Sequence, residues 1–338
     1  MNTPKAPMAR KVHTIDGLAP SLITNDAAIG TGMAFLVGEL EKRDPRLLEP
    51  LSSVTWMRDI VSKTGGGWVD FTSNQFVDYA TTGGNDDGII GGETNDIPVM
   101  QANATKDVYK VFNFANILKV PFVDQQKLQN IGRSLDDILD KGIRLNYNKS
   151  IDNIVYTGVP RAGVYGLVNS PDITAAAVAT GASGQTKWNQ KTPDEILSDV
   201  NAIITATWAA SEYDLTGMAN HILIPPQQYA YIVGTKVSEA GNVSILQFLL
   251  DNNIGKNQGI DLVIAPSRWC AGAGTGGTDR MVAYVNDEDR VNFDLTVPLS
   301  RVMTQAQVTE MAYLTAYAAQ IGQVKFLYTQ CARYGDGI

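Results

Sequence analysis

Few residues in this 338-residue chain have the types and spacing that chemistry requires. The two histidines, His13 and His221, would serve as general bases or metal ligands, and the two cysteines, Cys270 and Cys331, as nucleophiles or ligands. No pattern joins them. The sequence has no Gly-X-Ser-X-Gly elbow, no His-Glu-X-X-His and no Cys/His cluster at metal-binding spacing. His221 opens an apolar run, where a structural histidine is expected. Gly272-Ala273-Gly274-Thr275-Gly276-Gly277 matches the spacing of a dinucleotide-binding loop, whose amides would cradle a pyrophosphate. It precedes a strand-like run at Met281 instead of opening a helix, so a phosphate would find no helix N-terminus there. Asn85-Asp86-Asp87-Gly88 lacks the ligand spacing and terminal Glu of a calcium loop. The pairs Asp86/Asp87 and Asp136/Asp137 are expected on solvated faces. The residues thus predict no catalytic, cofactor-binding or metal-binding group, no cofactor, and a protein that is not an enzyme. A nucleotide-using enzyme built on the Gly272–Gly277 loop is the distant alternative.

Composition narrows the class further. With 44% hydrophobic and 18% charged residues and a mean hydropathy of −0.09, the chain is expected to fold. Lys plus Arg number 27 against 35 Asp plus Glu, a net charge of −8, so no whole-chain basic field draws it onto nucleic acid. No uninterrupted apolar run reaches the roughly 18 residues of a membrane span, and no membrane partner is expected. Met1–Lys11 is basic but no apolar run follows it, so a signal peptide is not expected. Two cysteines cannot frame a chain this long and are expected as reduced thiols of a protein made in a cytoplasm.

The elements follow from periodicity. Residues 1 to about 50 show no strand pattern, apart from a short helical stretch at Met33–Lys42; they suit either a frayed terminus or an arm that orders only against another subunit. Residues 51–120 read as extended. Trp68–Phe71 and Phe76–Tyr79 lead into a segment with Gly83, Gly84, Gly88, Gly91 and Gly92, and Lys106–Val120 returns as strand, which describes a long hairpin with a flexible tip. Asp124 to about Tyr156 has 3.6-residue apolar spacing and predicts one helix of about 30 residues, roughly 45 Å long. Thr192-Pro193-Asp194-Glu195 is a capping box opening a further helix. His221–Ile224, Leu262–Ala265 and Met281–Val285 predict buried strands; Gln227–Val233 and Ser244–Asn252 predict helices. Val291–Ser300 alternates with period two, its Pro298 marking an edge or a bulge, and Met311–Ala319 and Val324–Ala332 continue as strands. The fold class is α+β.

That order, together with local motifs, resembles the tailed-phage major capsid proteins of the Hong Kong 97-type fold. The long helix runs into Tyr156-Thr157-Gly158 and Gly163-Val164-Tyr165-Gly166-Leu167-Val168-Asn169, similar to the family's spine helix and its G-x-x-GL-x-N turn. The capped helix at Thr192 followed by His221–Tyr229 is similar to the first helix and central strand of the axial domain, and Arg333–Ile338 resembles endings in one branch of the family. The resemblance implies an N-terminal arm at 1–50, an extended loop at 51–110, a peripheral domain at 111–170 and 289–338, and an axial domain at 171–288. It implies a structural protein of the virion capsid, assembled in the host bacterial cytoplasm into hexamers and pentamers of an icosahedral head around double-stranded DNA contacted non-specifically. Its partners would be copies of itself, a portal protein and, in some systems, scaffold, protease or decoration proteins. An encapsulin-type nanocompartment shares the fold and is the alternative. Trp56, Trp68, Phe71, Phe76 and Tyr79 are the expected inter-subunit contacts, with packing in their own subunit as the other reading. Some relatives link a lysine of the extended loop covalently to an asparagine of another subunit. Here no lysine lies between Lys63 and Lys106, so a non-covalent shell is expected.

Overall fold

The chain order begins with a helical turn, α1 (Trp56–Asp59), and β1 (Val61–Thr64), then two long strands, β2 (Phe71–Thr82) and β3 (Val99–Lys110), and β4 (Phe112–Pro121). Helices α2 (Phe122–Gln129) and α3 (Leu135–Thr157) follow, then β5 (Ala175–Ala177), α4 (Pro193–Ala210), β6 (His221–Ile224), α5 (Pro226–Gly234), α6 (Ile245–Asn252) and α7 (Ile254–Asn257). Seven strands close the chain: β7 (Val263–Pro266), β8 (Arg280–Tyr284), β9 (Val291–Leu295), β10 (Val297–Gln307), β11 (Ala312–Ile321), β12 (Val324–Phe326) and β13 (Ala332–Asp336). This computed structural model describes residues 50, 52–82, 98–130, 134–238 and 242–338. The expected arm and the glycine tip (Gly83, Gly84, Gly88, Gly91, Gly92) lie outside the described residues. The elements all belong to one unit, Ser52–Ile338.

Among the described residues the strands form four sheets, ordered β1-β9-β12, β10-β11-β4, β5-β13-β8-β6-β7 and β2-β3. Two expected strands are each divided between sheets. Lys106–Val120 breaks at Val111, leaving β3 in the hairpin and β4 in the three-stranded sheet with β11. Val291–Ser300 breaks at Thr296, whose hydroxyl donates to the Gln320 carbonyl across the join. Pro298 falls where the β10–β11 register shifts, on an edge strand, where a residue without an N–H costs no ladder bond.

The expected continuous helix is instead two helices. Ser134 takes extended backbone (ψ 120°) and its Oγ accepts from the Asp137 N–H at 3.3 Å, so it caps a new helix. Asp136 and Asp137 then sit favourably at the positive end of α3. Ile143, Tyr147, Ile151 and Val155, spaced by four, form the buried stripe of α3. Its first part joins Leu118, Val120 and Tyr317 on one face of the three-stranded sheet; its later part joins the central core around Leu167, Phe293, Ile321 and Tyr334. Helix α4 has the full capping box between Thr192 and Glu195 and buries Ile196, Val200, Ile203 and Ile204 against Ile222, Ile224 and Leu249. Strand β13 pairs with β8 and β5, so the last strand completes the five-stranded sheet of the 171–288 region.

Candidate functional site

The residues that chemistry would use are sealed or already engaged. His221 is buried, its Nε2 stands 3.7 Å from Asp59 Oδ1 and its ring packs on Tyr284. Tyr156 donates to the Asp59 carboxylate and Tyr284 to the Asp59 carbonyl, so the group ties α1 to α3 and the five-stranded sheet. Cys270 and Cys331 are buried free thiols, and burial pushes Cys270 up to about 12, far from nucleophilic use. The Gly272–Gly277 loop spends its amides on the protein itself. The Thr275 N–H and hydroxyl both donate to Asp336 Oδ2 at 2.9 Å, and the Gly272 N–H donates to Asp279 Oδ1 at 3.0 Å. Carboxylates stand where a phosphate would need to be. Among the described residues, no group of three His, Cys, Asp or Glu side chains is placed to hold a metal ion. Asp136, on the first turn of α3, faces Arg301 at 3.3 Å.

Asp336 has a structural task with a measurable pH signature. Arg280 grips it bidentately at 2.7 and 2.9 Å, both groups being buried, and donates to the Val168 carbonyl at 2.8 Å. Burial alone raises the Asp336 carboxyl, but the hydrogen bonds from Arg280 and Thr275 outweigh it and hold the group below the ordinary value. A depressed carboxyl stabilises the fold above its unfolded value of about 3.9, and that stability is lost as pH falls through the folded value. Melting temperature measured against pH is therefore expected to fall steeply below about pH 4. Asp336→Asn is expected to cost about 3 kcal/mol at pH 7, by leaving Arg280 buried without its counter-charge, and to flatten the acid limb. An unchanged acid limb contradicts this assignment.

Six exposed large apolar side chains, by contrast, share one two-stranded element. Strands β2 and β3 pair antiparallel over twelve positions, from Phe71↔Lys110 to Thr82↔Val99. Because side chains alternate across a strand and paired residues share a face, the register sorts the hairpin into two faces. Thr72, Asn74 and Phe76 are half-buried toward the subunit's own body, and outward of them that face carries Asp78/Asn103, Ala80/Gln101 and the exposed Val99. The opposite face carries Phe71/Lys110, Ser73/Val108, Gln75/Lys106, Val77/Ala104, Tyr79/Ala102 and Thr81/Met100, so it is polar at its middle and apolar toward both ends. Phe71 is 63%, Val77 52% and Tyr79 74% exposed. Of the hairpin's exposed large apolar side chains, all but Val99 lie on this face.

Of the expected contact residues, Phe71 and Tyr79 lie on that face, and Trp68 is exposed at the hairpin's base. Phe76 lies on the other face, edge-on to Tyr328 with ring centroids 6.0 Å apart. Trp56 is a correction: it is 4% exposed and packs edge-on against Phe293 in its own core, because the α1 turn folds its ring inward. Sequence reasoning missed Val77, Val108 and Met100; the period-two spacing of 77 and 79 with the returning strand's small residues was the available signal. It also missed a row across the outer face of the three-stranded sheet, Ile117–Ala316–Met303, whose two ends are exposed.

A profile of the major capsid protein family matches residues 86–338. A comparison with curated protein sequences finds no match. Among solved structures, the capsid of Myoviridae phage XM1 is similar with a TM-score of 0.73 and 16% identity, covering 89% of this chain and 98% of that one. The capsid of an empty GTA particle gives a TM-score of 0.60 at 11% identity, over 91% of this chain and 98% of the other. Microbacterium phage Oxtober96 gives 0.57 at 13%, over 93% and 98%. At these identities the likeness is one of fold, and the fold is the α+β arrangement of phage capsid subunits.

Proposed function

Because the chain belongs to the major capsid protein family, we propose that it builds the head of a tailed phage, as hexamers and pentamers of a closed shell around double-stranded DNA. It is a structural shell protein and not an enzyme. The observation that supports the assembly mode is the inverted hairpin: its apolar face points away from its own body. A two-stranded ribbon is marginal in water by itself, and each large side chain left exposed forgoes about 1.5–3 kcal/mol of burial. Another copy that covers Phe71, Val77, Tyr79, Val108 and Met100 recovers that energy at every subunit of the shell. A ring of such head-to-tail contacts closes by rotation, as a shell requires.

In this reading residues 1–50 are the arm, 51–110 the extended loop, 111–170 and 289–338 the peripheral domain, and 171–288 the axial domain, with β13 inserted between β5 and β8 of the axial sheet. Portal, scaffold, protease and decoration proteins are the partners this reading admits. The net charge of −8 suits a container that releases its DNA, and two arginines bind carboxylates of α3, Arg144 of the same helix with Asp140 at 2.9 Å and Arg301 of β10 with Asp136 at 3.3 Å. Purified particles are expected to protect double-stranded DNA from nuclease; an enclosed protein with no nucleic acid would overturn the phage-head reading. Boiling the particles in SDS is expected to release single subunits, since the loop between Lys63 and Lys106 has no lysine to supply a cross-link. A ladder of linked subunits would contradict this.

A further inference from the structure

The hairpin leaves the body as a cantilever, and what grips its root is polar and directional. Gln320, buried on β11, binds the backbone of Val69 on both sides: its Nε2 donates to the Val69 carbonyl at 2.7 Å and the Val69 N–H donates to its Oε1 at 3.0 Å. Lys325, on β12, is 3% exposed, and its ammonium rests on the buried Asp294 carboxylate of β9. The same ammonium reaches Asn74 Oδ1 of β2 at 3.4 Å and lies 4.9 Å from the ring centroid of Tyr109 on β3. Outward of Phe76 the described side chains of the hairpin are exposed, apart from the half-buried Thr81.

We propose that Lys325 is the positioning residue that sets the direction of the hairpin, clamping both of its strands from an anchor on Asp294. A buried ion pair is a poor source of stability, because desolvation offsets its attraction. What this pair adds is placement: the partners of Lys325 beyond Asp294 belong one to each hairpin strand, and a charge facing an amide oxygen and a ring tolerates less sliding than an apolar contact. Tyr328 extends the grip. Its ring meets Phe76 of β2, and Arg290 lies over it at 4.8 Å while donating to Thr216 Oγ1 in the turn after α4. The hairpin root, β12 and that turn are therefore in one chain of contact.

The test removes the hairpin's half of the clamp and leaves the Lys325–Asp294 pair intact. In the full-length, unassembled Asn74→Ala/Tyr109→Leu variant, amides of 71–76 and 105–110 are expected to exchange about tenfold faster than in the wild type, with β6 and β8 unchanged. Unchanged exchange at the root, or equal acceleration in β6 and β8, overturns the clamp. Particles assembled from the variant are expected to vary in diameter, and a uniform wild-type diameter overturns the claim that the clamp sets direction. That last arm rests on the shell reading. The exchange arm does not, so failure of wild-type chain to form shells would sink that reading without touching the clamp.

Discussion

A Val77→Ser/Tyr79→Ser subunit is expected to melt at the wild-type temperature and yet to form no shells. Both side chains are more than half exposed in the subunit, so their removal takes nothing from its core. On a neighbour they would bury together about 3–6 kcal/mol of apolar gain. Losing even half of that weakens each contact by more than about tenfold, and a closed shell requires the contact at every copy. Thermal melting and sedimentation of the same preparation check it. Shells at wild-type yield would show that the apolar face of the hairpin does no assembly, and a collapsed melting temperature would show that the face packs within its own subunit.

Gly166→Ala is expected to prevent folding to usable yield. A Cβ at position 166 would stand 2.4 Å from the backbone carbon and oxygen of Tyr156, atoms that belong to the last turn of α3 and cannot move aside. The approach is close because the chain stitches itself there. Leu167 N–H donates to the Val155 carbonyl at 2.8 Å and Val168 N–H to the Tyr156 carbonyl at 3.1 Å. Asn169 closes the stitch, accepting from the Gly166 N–H at 2.8 Å and donating to the Thr157 carbonyl at 2.9 Å. Gly158 turns the helix off with φ 71°, and a Cβ there would meet the Val164 carbonyl oxygen at 2.4 Å. Alanine at 166 would have to separate α3 from this segment, with loss of about 3 kcal/mol or more. Soluble yield and melting temperature read the outcome; a wild-type melting temperature contradicts the stitch.

The same turn shows why parts of this fold were legible in the sequence. Gly158, Gly163, Gly166 and Asn169 are residues that a tight reversal requires, and their spacing marks the end of α3 without any tertiary knowledge. The capping box at Thr192 and the buried strand at His221–Ile224 are equally local. Boundaries set by tertiary partners were not legible. Nothing in the alternation of Val291–Ser300 says that the first half pairs with β1 and β12 and the second with β11. Ser134 was a cap in plain sight, with Asp136 and Asp137 behind it, but continuous apolar spacing on both sides of it concealed the break.

The candidate site divides in the same way. Aromatic and β-branched residues marked the hairpin, yet which of them face outward depends on register, and register depends on where β3 begins. Phe71 and Tyr79 fell on the apolar face, Phe76 on the other, and Trp56 in the core. The Gly272–Gly277 loop precedes β8 instead of opening a helix, and Asp336 and Asp279 accept from its Thr275 and Gly272 amides.

Cryo-electron microscopy of particles assembled from the purified chain would show what covers the hairpin. Closed shells are expected, in which the β2–β3 ribbon of each subunit lies with Phe71, Val77 and Tyr79 against a neighbouring copy. Particles in which that ribbon folds back on its own subunit, or in which those three side chains face solvent, would contradict this.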